Sequence, residues 1–280
     1  MGMKRVIIAG AIFSLTNISF AMADIKVVTS IKPVHSLVSG VMVGVGVPSL
    51  IIDGAGSPHT YSLKPSQAKQ LQDAKLVFWM GDELETFLEG PIENIAQNAT
   101  AIKLIDAHGL KKIKFREGGM FDDHGHDDHD EHDHEKHDDH DDEKHAKKEH
   151  DDHEDHDGHD DHGHGEFDPH VWLDPVNAKA IVHEIEEALV KADPEHASTY
   201  EANAHKMMDK LDSLTAELRE ELEPVHEKGF IVFHDAYQYF EQRFDVAAIG
   251  SITVSPEVMP GAERVSELRE KILELNATCV

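Results

Sequence analysis

The chain has 280 residues, with 55 acidic against 26 basic side chains and a formal net charge of −29. A surface of that sign repels phosphate backbones and anionic headgroups, so nucleic acid and anionic lipid are disfavoured as partners. The single cysteine, Cys279, cannot form an internal disulfide within these residues.

Residues 1–23 have the form of an export leader: Lys4 and Arg5, the apolar run VIIAGAIF, then a small-x-small ending at Ala21-Met22-Ala23. Ser14, Thr16 and Asn17 break the apolar run well short of the roughly 20 residues a bilayer span requires. Cleavage near Ala23 is therefore expected in preference to a membrane anchor, with no cysteine at that point to carry a lipid. The expected compartment is a periplasm.

Short apolar, β-branched runs follow at 25–30, 47–53, 75–81 and 101–106, each ended by polar or glycine residues, as buried strands are. Helical patterns lie between some of them, at 65–74 and at 83–96, the latter with an interruption expected at Gly90-Pro91. Strands alternating with helices imply parallel pairing, hence an α/β lobe over residues 24–117. Residues 118–166 break the pattern. Within them, 122–164 hold 14 of the 23 histidines and 21 acidic residues against 4 lysines, a net of −17 that leaves −12 for the rest of the chain. With no apolar residue larger than Ala146, this stretch cannot bury a core and is expected to be a disordered loop. Alternating imidazoles and carboxylates such as His124, His126, His129, His132, His134, His137 and His140 offer weak, exchangeable sites for borderline divalent metals.

Residues 167–193 are expected to complete the first lobe, with Ile181, Ile185, Ala188 and Leu189 on one helical face. From Pro194 the apolar residues Tyr200, Ala204, Met207, Leu211, Leu214, Leu218 and Leu222 recur at spacings of three and four, predicting one helix of some 28 residues, roughly 40 Å long. That length suits a strut (194–228) between two lobes. The alternation restarts at 230–237 and 246–250, ahead of a helix over 260–275 with Val265, Leu268, Ile272 and Leu275 on its buried side. The stretch 229–280 is expected to be an incomplete second lobe, continued beyond Val280 by further strands and a partner for Cys279.

Three single histidines stand out by position. His59 lies in the glycine- and proline-punctuated loop after a strand, His170 lies between Pro169 and a strand-like VWL, and His234 ends the run FIVF. Ligands of open α/β sheets bind outside the carboxyl ends of strands, where two of the three fall. Imidazole donors suit zinc, and three of them plus water or a carboxylate complete a tetrahedron. The same set with water can also be hydrolytic. A hydrolase needs a base and an organic pocket, the chain has no HExxH motif, and Asp235 is better read as a hydrogen-bonding neighbour or helix cap.

The blocks TSIKPVHSLV, GSPHTYSLKPSQAKQL, DPHVWLDP, IVFHDAYQYF and PEVMPGAERVSELR, in that order, resemble the cluster A-I periplasmic solute-binding proteins that serve ABC importers for zinc and manganese, and within them the zinc-specific branch. The resemblance spans nearly all of the mature chain except 118–166. It implies two α/β lobes with parallel sheets, joined by a long rigid helix, and a metal ion in the cleft between them. By position it makes His59 and His170 the first-lobe ligands and His234 the second-lobe ligand, where manganese-binding relatives carry glutamate. The family's fourth ligand, an aspartate, would fall after Val280. The implied function is capture of Zn2+ in the periplasm and its delivery, by a monomer, to an inner-membrane ABC permease, with no enzymatic activity. A periplasmic zinc buffer without a transporter is the alternative.

Overall fold

The computed structural model describes residues 25–116, 166–253 and 260–274. The expected leader, the histidine-rich stretch with its seven named histidines, and Cys279 lie outside them. Four short strands, β1 (Val27–Thr29), β2 (Ser49–Leu50), β3 (Leu76–Trp79) and β4 (Thr100–Lys103), form one sheet in the order β2-β1-β3-β4, with every pairing parallel. The two central strands, β1 and β3, are buried along their whole length, which is why they read as unbroken apolar runs rather than alternating ones. Helix α1 (Lys32–Val41) follows β1, α2 (Pro65–Asp73) precedes β3 and α3 (Thr86–Asn94) links β3 to β4. Each of α1 and α2 has proline in its first turn, where the missing N–H costs nothing.

Helix α3 starts three residues later than expected and runs through Gly90-Pro91 without a break. Residues 81–85 form a turn instead, because Glu85 folds back and accepts hydrogen bonds from the backbone N–H groups of Met80 (2.7 Å) and Gly81 (3.3 Å). Gly81, at φ 143°, is the one residue type that fits there, since a Cβ would meet Lys103, Glu83 and Ile105. The Glu85 carboxyl is fully buried, and burial pushes its pKa up to about 7 against the pull of the Ser30 hydroxyl and these backbone N–H groups. Below about pH 4.5 the group is protonated in the folded and unfolded chain alike. As pH rises towards 7 the unfolded chain loses this proton while the folded one keeps it, so stability falls, by about 3 kcal/mol in all. Glu85→Gln is expected to remove that loss; urea unfolding at pH 4.5 and 7.5 would show a smaller difference between the two pH values than in the parent.

Helix α4 (Pro175–Ala192) buries Ile181, Val182, Ile185 and Leu189 against α1 and the sheet. A 3₁₀ turn at Pro194–His196 leads into α5 (Ala197–Leu222), 26 residues long, and a second at Glu223–Val225 ends it. The long helix is thus present, but its apolar stripe is core for only part of its length. Tyr200, Ala204 and Leu211 are buried with α1 and α4, and Asn203 holds the end of α1 through the carbonyls of Val41 and Val43. Beyond them Leu214 is 42 % exposed, because the helix has left the first lobe.

A second sheet of two parallel strands, β5 (Phe230–His234) and β6 (Ala248–Thr253), sets His234 beside Thr253. Helix α7 (Ala262–Glu274) lies against β6, with Leu268 buried and Val265 52 % exposed. The expectation that Val265 shares the buried face is corrected: two described strands are too narrow to cover the whole stripe. Helix α6 (Gln238–Phe244) connects β5 and β6 yet packs on the first lobe. Tyr239 sits in the first-lobe core; its hydroxyl donates to the carbonyl of Asp168 (2.8 Å) and accepts from the N–H of Ile113 (3.0 Å). At the other end of α6, Arg243 forks onto Asp174 at 2.6 and 2.7 Å. These bonds tie the start of the second lobe to the first.

Candidate metal centre

His59 is presented by a loop that Gln67 holds shut. The Gln67 side-chain amide donates to the carbonyl of Ile51 (2.6 Å) and to the Tyr61 hydroxyl (2.8 Å), while its oxygen accepts from the N–H of Lys64 at the start of α2. Gly56 lets the Tyr61 ring lie against the backbone, since a Cβ there would come within 2.8 Å of it. Ser57 Oγ accepts from the His59 N–H at 3.3 Å and sets the turn.

His170 precedes a 3₁₀ turn at Val171–Leu173, not the strand expected for VWL. The reason is local: Pro175 opens α4, and Asp174 caps it by accepting from the Val176 N–H, so the three residues between have room only for a turn. His170 is 6 % exposed. Its Nδ1 lies 2.6 Å from Asp168 Oδ1, which also accepts from the His170 N–H at 3.0 Å. Asp168 is fully buried and receives a further bond from Gln238 Nε2 on α6 at 3.2 Å. A carboxylate on Nδ1 fixes the N–H there and leaves Nε2 as the free donor, the arrangement that metal-ligating histidines use. Asp168 lies within the DPHVWLDP block but has no role in the sequence reading. Its place two residues before a proline-braced histidine is the signal that could have found it.

His234 comes from the carboxyl end of β5. Its Nε2 is buried and has no hydrogen-bond partner, which is costly unless something else satisfies it. Burial is the largest cause holding the His234 pKa below the ordinary imidazole value; the neighbouring His170 adds to it, while Asp168 and Asp235 oppose.

The three rings meet with centroids 5.4–5.7 Å apart, and one nitrogen from each lies within 4.8 Å of the others. Zinc–nitrogen bonds of about 2.0–2.1 Å put tetrahedral donors roughly 3.4 Å apart, so the cluster needs only a small contraction to close on an ion. Among the described residues it is the one group of histidine, cysteine or carboxylate donors gathered in this way. The cavity around it, of about 420 Å³, is otherwise mainly apolar, walled by Pro58, Trp172, Leu173, Phe233 and Tyr237, with Ser57 also lining it. Trp172 borders the site, 5.3 Å from the His170 ring. His35 is elsewhere, against the carbonyl of Pro48. Asp235 caps no helix: α6 starts after Tyr237, and both Asp235 oxygens are held by Arg116.

Two parallel-sheet α/β lobes bridged by one long helix, with histidines from both sides meeting between them, define a two-lobed solute-binding protein whose cleft can hold a metal ion. The sequence model described as "Zinc-uptake complex component A periplasmic" matches residues 27–280, and the chain belongs to this ZnuA family of zinc-transport solute-binding proteins, which are not enzymes. It is 57 % identical over 254 residues to the high-affinity zinc uptake system protein ZnuA of Brucella abortus, covering 91 % of this chain and 75 % of that one. The fold is similar to a crystal structure of ZnuA (TM-score 0.67, 22 % identity, 90 % of this chain and 80 % of that one). It is also similar to the periplasmic zinc-binding protein TroA of Treponema pallidum (TM-score 0.68, 18 % identity, 90 % and 76 %). Among the described residues no helix is long and apolar enough to cross a membrane.

Proposed function

We propose that this chain captures zinc in the periplasm through His59, His170 and His234 and delivers it to an inner-membrane ABC permease. The observation that carries the reading is the convergence of three imidazoles from distant parts of the sequence, one oriented by a buried carboxylate and one with an orphaned buried nitrogen. The ZnuA name of its relatives supports zinc as the ion. The domain organisation set out from the sequence belongs to the same proposal: a leader removed near Ala23, lobes over 24–117 with 167–193 and over 229–280, a linking helix over 194–228, and a monomer in solution. Amino-terminal sequencing of the exported protein should begin at Asp24, and zinc-loaded protein should bind membranes carrying the permease better than the metal-free form.

The histidines of 122–164 act in this reading as an accessory collector. Lys114 and Phe167 face each other in an antiparallel bridge, and Lys114 pairs with Glu166 at 2.9 Å, so the chain leaves and returns at one point close to Asp168. Deleting 122–164 is expected to leave one tight site and remove several weak ones in titration calorimetry; loss of the tight site would sink the assignment of its ligands.

A further inference from the structure

The residue directly after His234 is an aspartate whose side chain is largely buried, yet it contributes nothing to the donor cluster. Its two oxygens are both engaged by one guanidinium: Arg116 Nε donates to Oδ2 at 3.0 Å and Nη2 to Oδ1 at 2.5 Å. The opposite edge of the same guanidinium is fixed by Glu241 of α6, with Nη1 on Oε2 at 3.0 Å and Nη2 on Oε1 at 2.7 Å. Glu241 is itself pinned, since its Oε2 also accepts from the N–H of Ala248 at the start of β6. The planar fork therefore lies between two carboxylates and cannot follow Asp235 towards an ion. A lysine could hold one carboxylate at a time as a point charge; only the arginine fork grips both.

We propose that Arg116 is a specificity-determining residue of the metal site, which keeps the carboxylate of Asp235 out of the donor set and so favours zinc over manganese. The inference rests on the three-histidine site proposed above. A carboxylate freed beside His234 would add an oxygen donor and a negative charge, and manganese gains more from oxygen ligands than zinc does. Arg116 then has two tasks. It joins the lobes, and it sequesters a ligand that the chain places one residue from the site.

The test is the ratio of zinc to manganese affinity, measured by chelator competition in Arg116→Gln, Arg116→Lys and the double variant Arg116→Gln/Asp235→Asn, with the visible spectrum of bound cobalt as a report of the donors. Arg116→Gln is expected to lower the ratio about tenfold or more and to alter the cobalt bands, and the double variant to restore both. Arg243→Gln, which breaks the bridge from α6 to Asp174 without freeing a carboxylate beside a histidine, should keep the parental ratio. A parental ratio and cobalt spectrum in folded Arg116→Gln would overturn the proposal, as would an equal shift in Arg243→Gln, which would mark general loosening. If Arg116→Gln fails to fold, Arg116→Lys is read in its place, with the same direction expected and an unchanged ratio equally fatal. Tight zinc binding that survives single loss of His59, His170 and His234 would instead sink the underlying site, a result separable from any change in the ratio.

Discussion

Replacing His170 with alanine is expected to abolish tight zinc binding, weakening it about a thousandfold or more, as loss of one of three protein donors to a structural-type site implies. His170 is the most buried of the three and the one whose ring is held in place, so no neighbouring side chain can take over its position. The variant also removes the ring partner of the fully buried Asp168 Oδ1, which keeps only the backbone N–H of residue 170. Asp168→Asn tests orientation separately. It retains the side-chain volume but removes the charge that favours the N–H on Nδ1, and a loss of about 10- to 100-fold in affinity is expected. Competition against a chromophoric chelator measures both, with circular dichroism to confirm that the variants are folded. A His170→Ala protein that still bound one zinc with parental affinity would remove this histidine from the site.

Acidification is expected to release the ion. An imidazole must be neutral to coordinate, and free imidazole protonates near pH 6.5, so affinity should fall by about tenfold per pH unit for each histidine that has to give up a proton. With three histidines the limiting slope approaches about a thousandfold per unit. His234 stays neutral to lower pH than a free imidazole does, because burial and the nearby His170 depress its pKa. The sign for the metal-free protein follows. Above the unfolded value His234 is neutral in both states; as pH falls below it, the unfolded chain takes up a proton that the folded one refuses, and stability declines until the depressed folded value is passed. Through His234, acid thus weakens metal binding and lowers the stability of the metal-free fold, a contribution opposite in sign to that of Glu85. Titrations at pH 5.5, 6.5 and 7.5 would read the slope directly, and an affinity unchanged over that range would argue that imidazoles are not the donors.

Much of this was legible before any coordinates. The apolar runs that became β1 and β3 carry their own signature, since strands buried on both faces tolerate little else. The long helix announces itself through a three-four spacing sustained over 26 residues without glycine or proline. What that spacing does not encode is the partner. Leu214 and Leu211 look alike in the sequence, and one is exposed because the first lobe ends between them. VWL has the composition of a strand and forms a 3₁₀ turn because Pro175 and the Asp174 cap commit the chain to a helix immediately afterwards.

The three histidines could be picked out by sequence because each occupies a loop or strand end punctuated by glycine, proline or a β-branched run, which are local properties. Their meeting is not local: His59, His170 and His234 are separated by more than a hundred and more than sixty residues, and only the packing of α6 on the first lobe brings the end of β5 to the other two. The same holds for Asp168 and Arg116, whose partners lie across that seam. By itself the sequence determined the strand and helix types and singled out the three imidazoles as candidate donors, because these depend on residue type and short-range spacing. Tertiary structure alone decided which aspartate bonds a histidine of the cluster and which is gripped by an arginine, since hydrogen bonds of fixed length and angle are made only once the chain has folded.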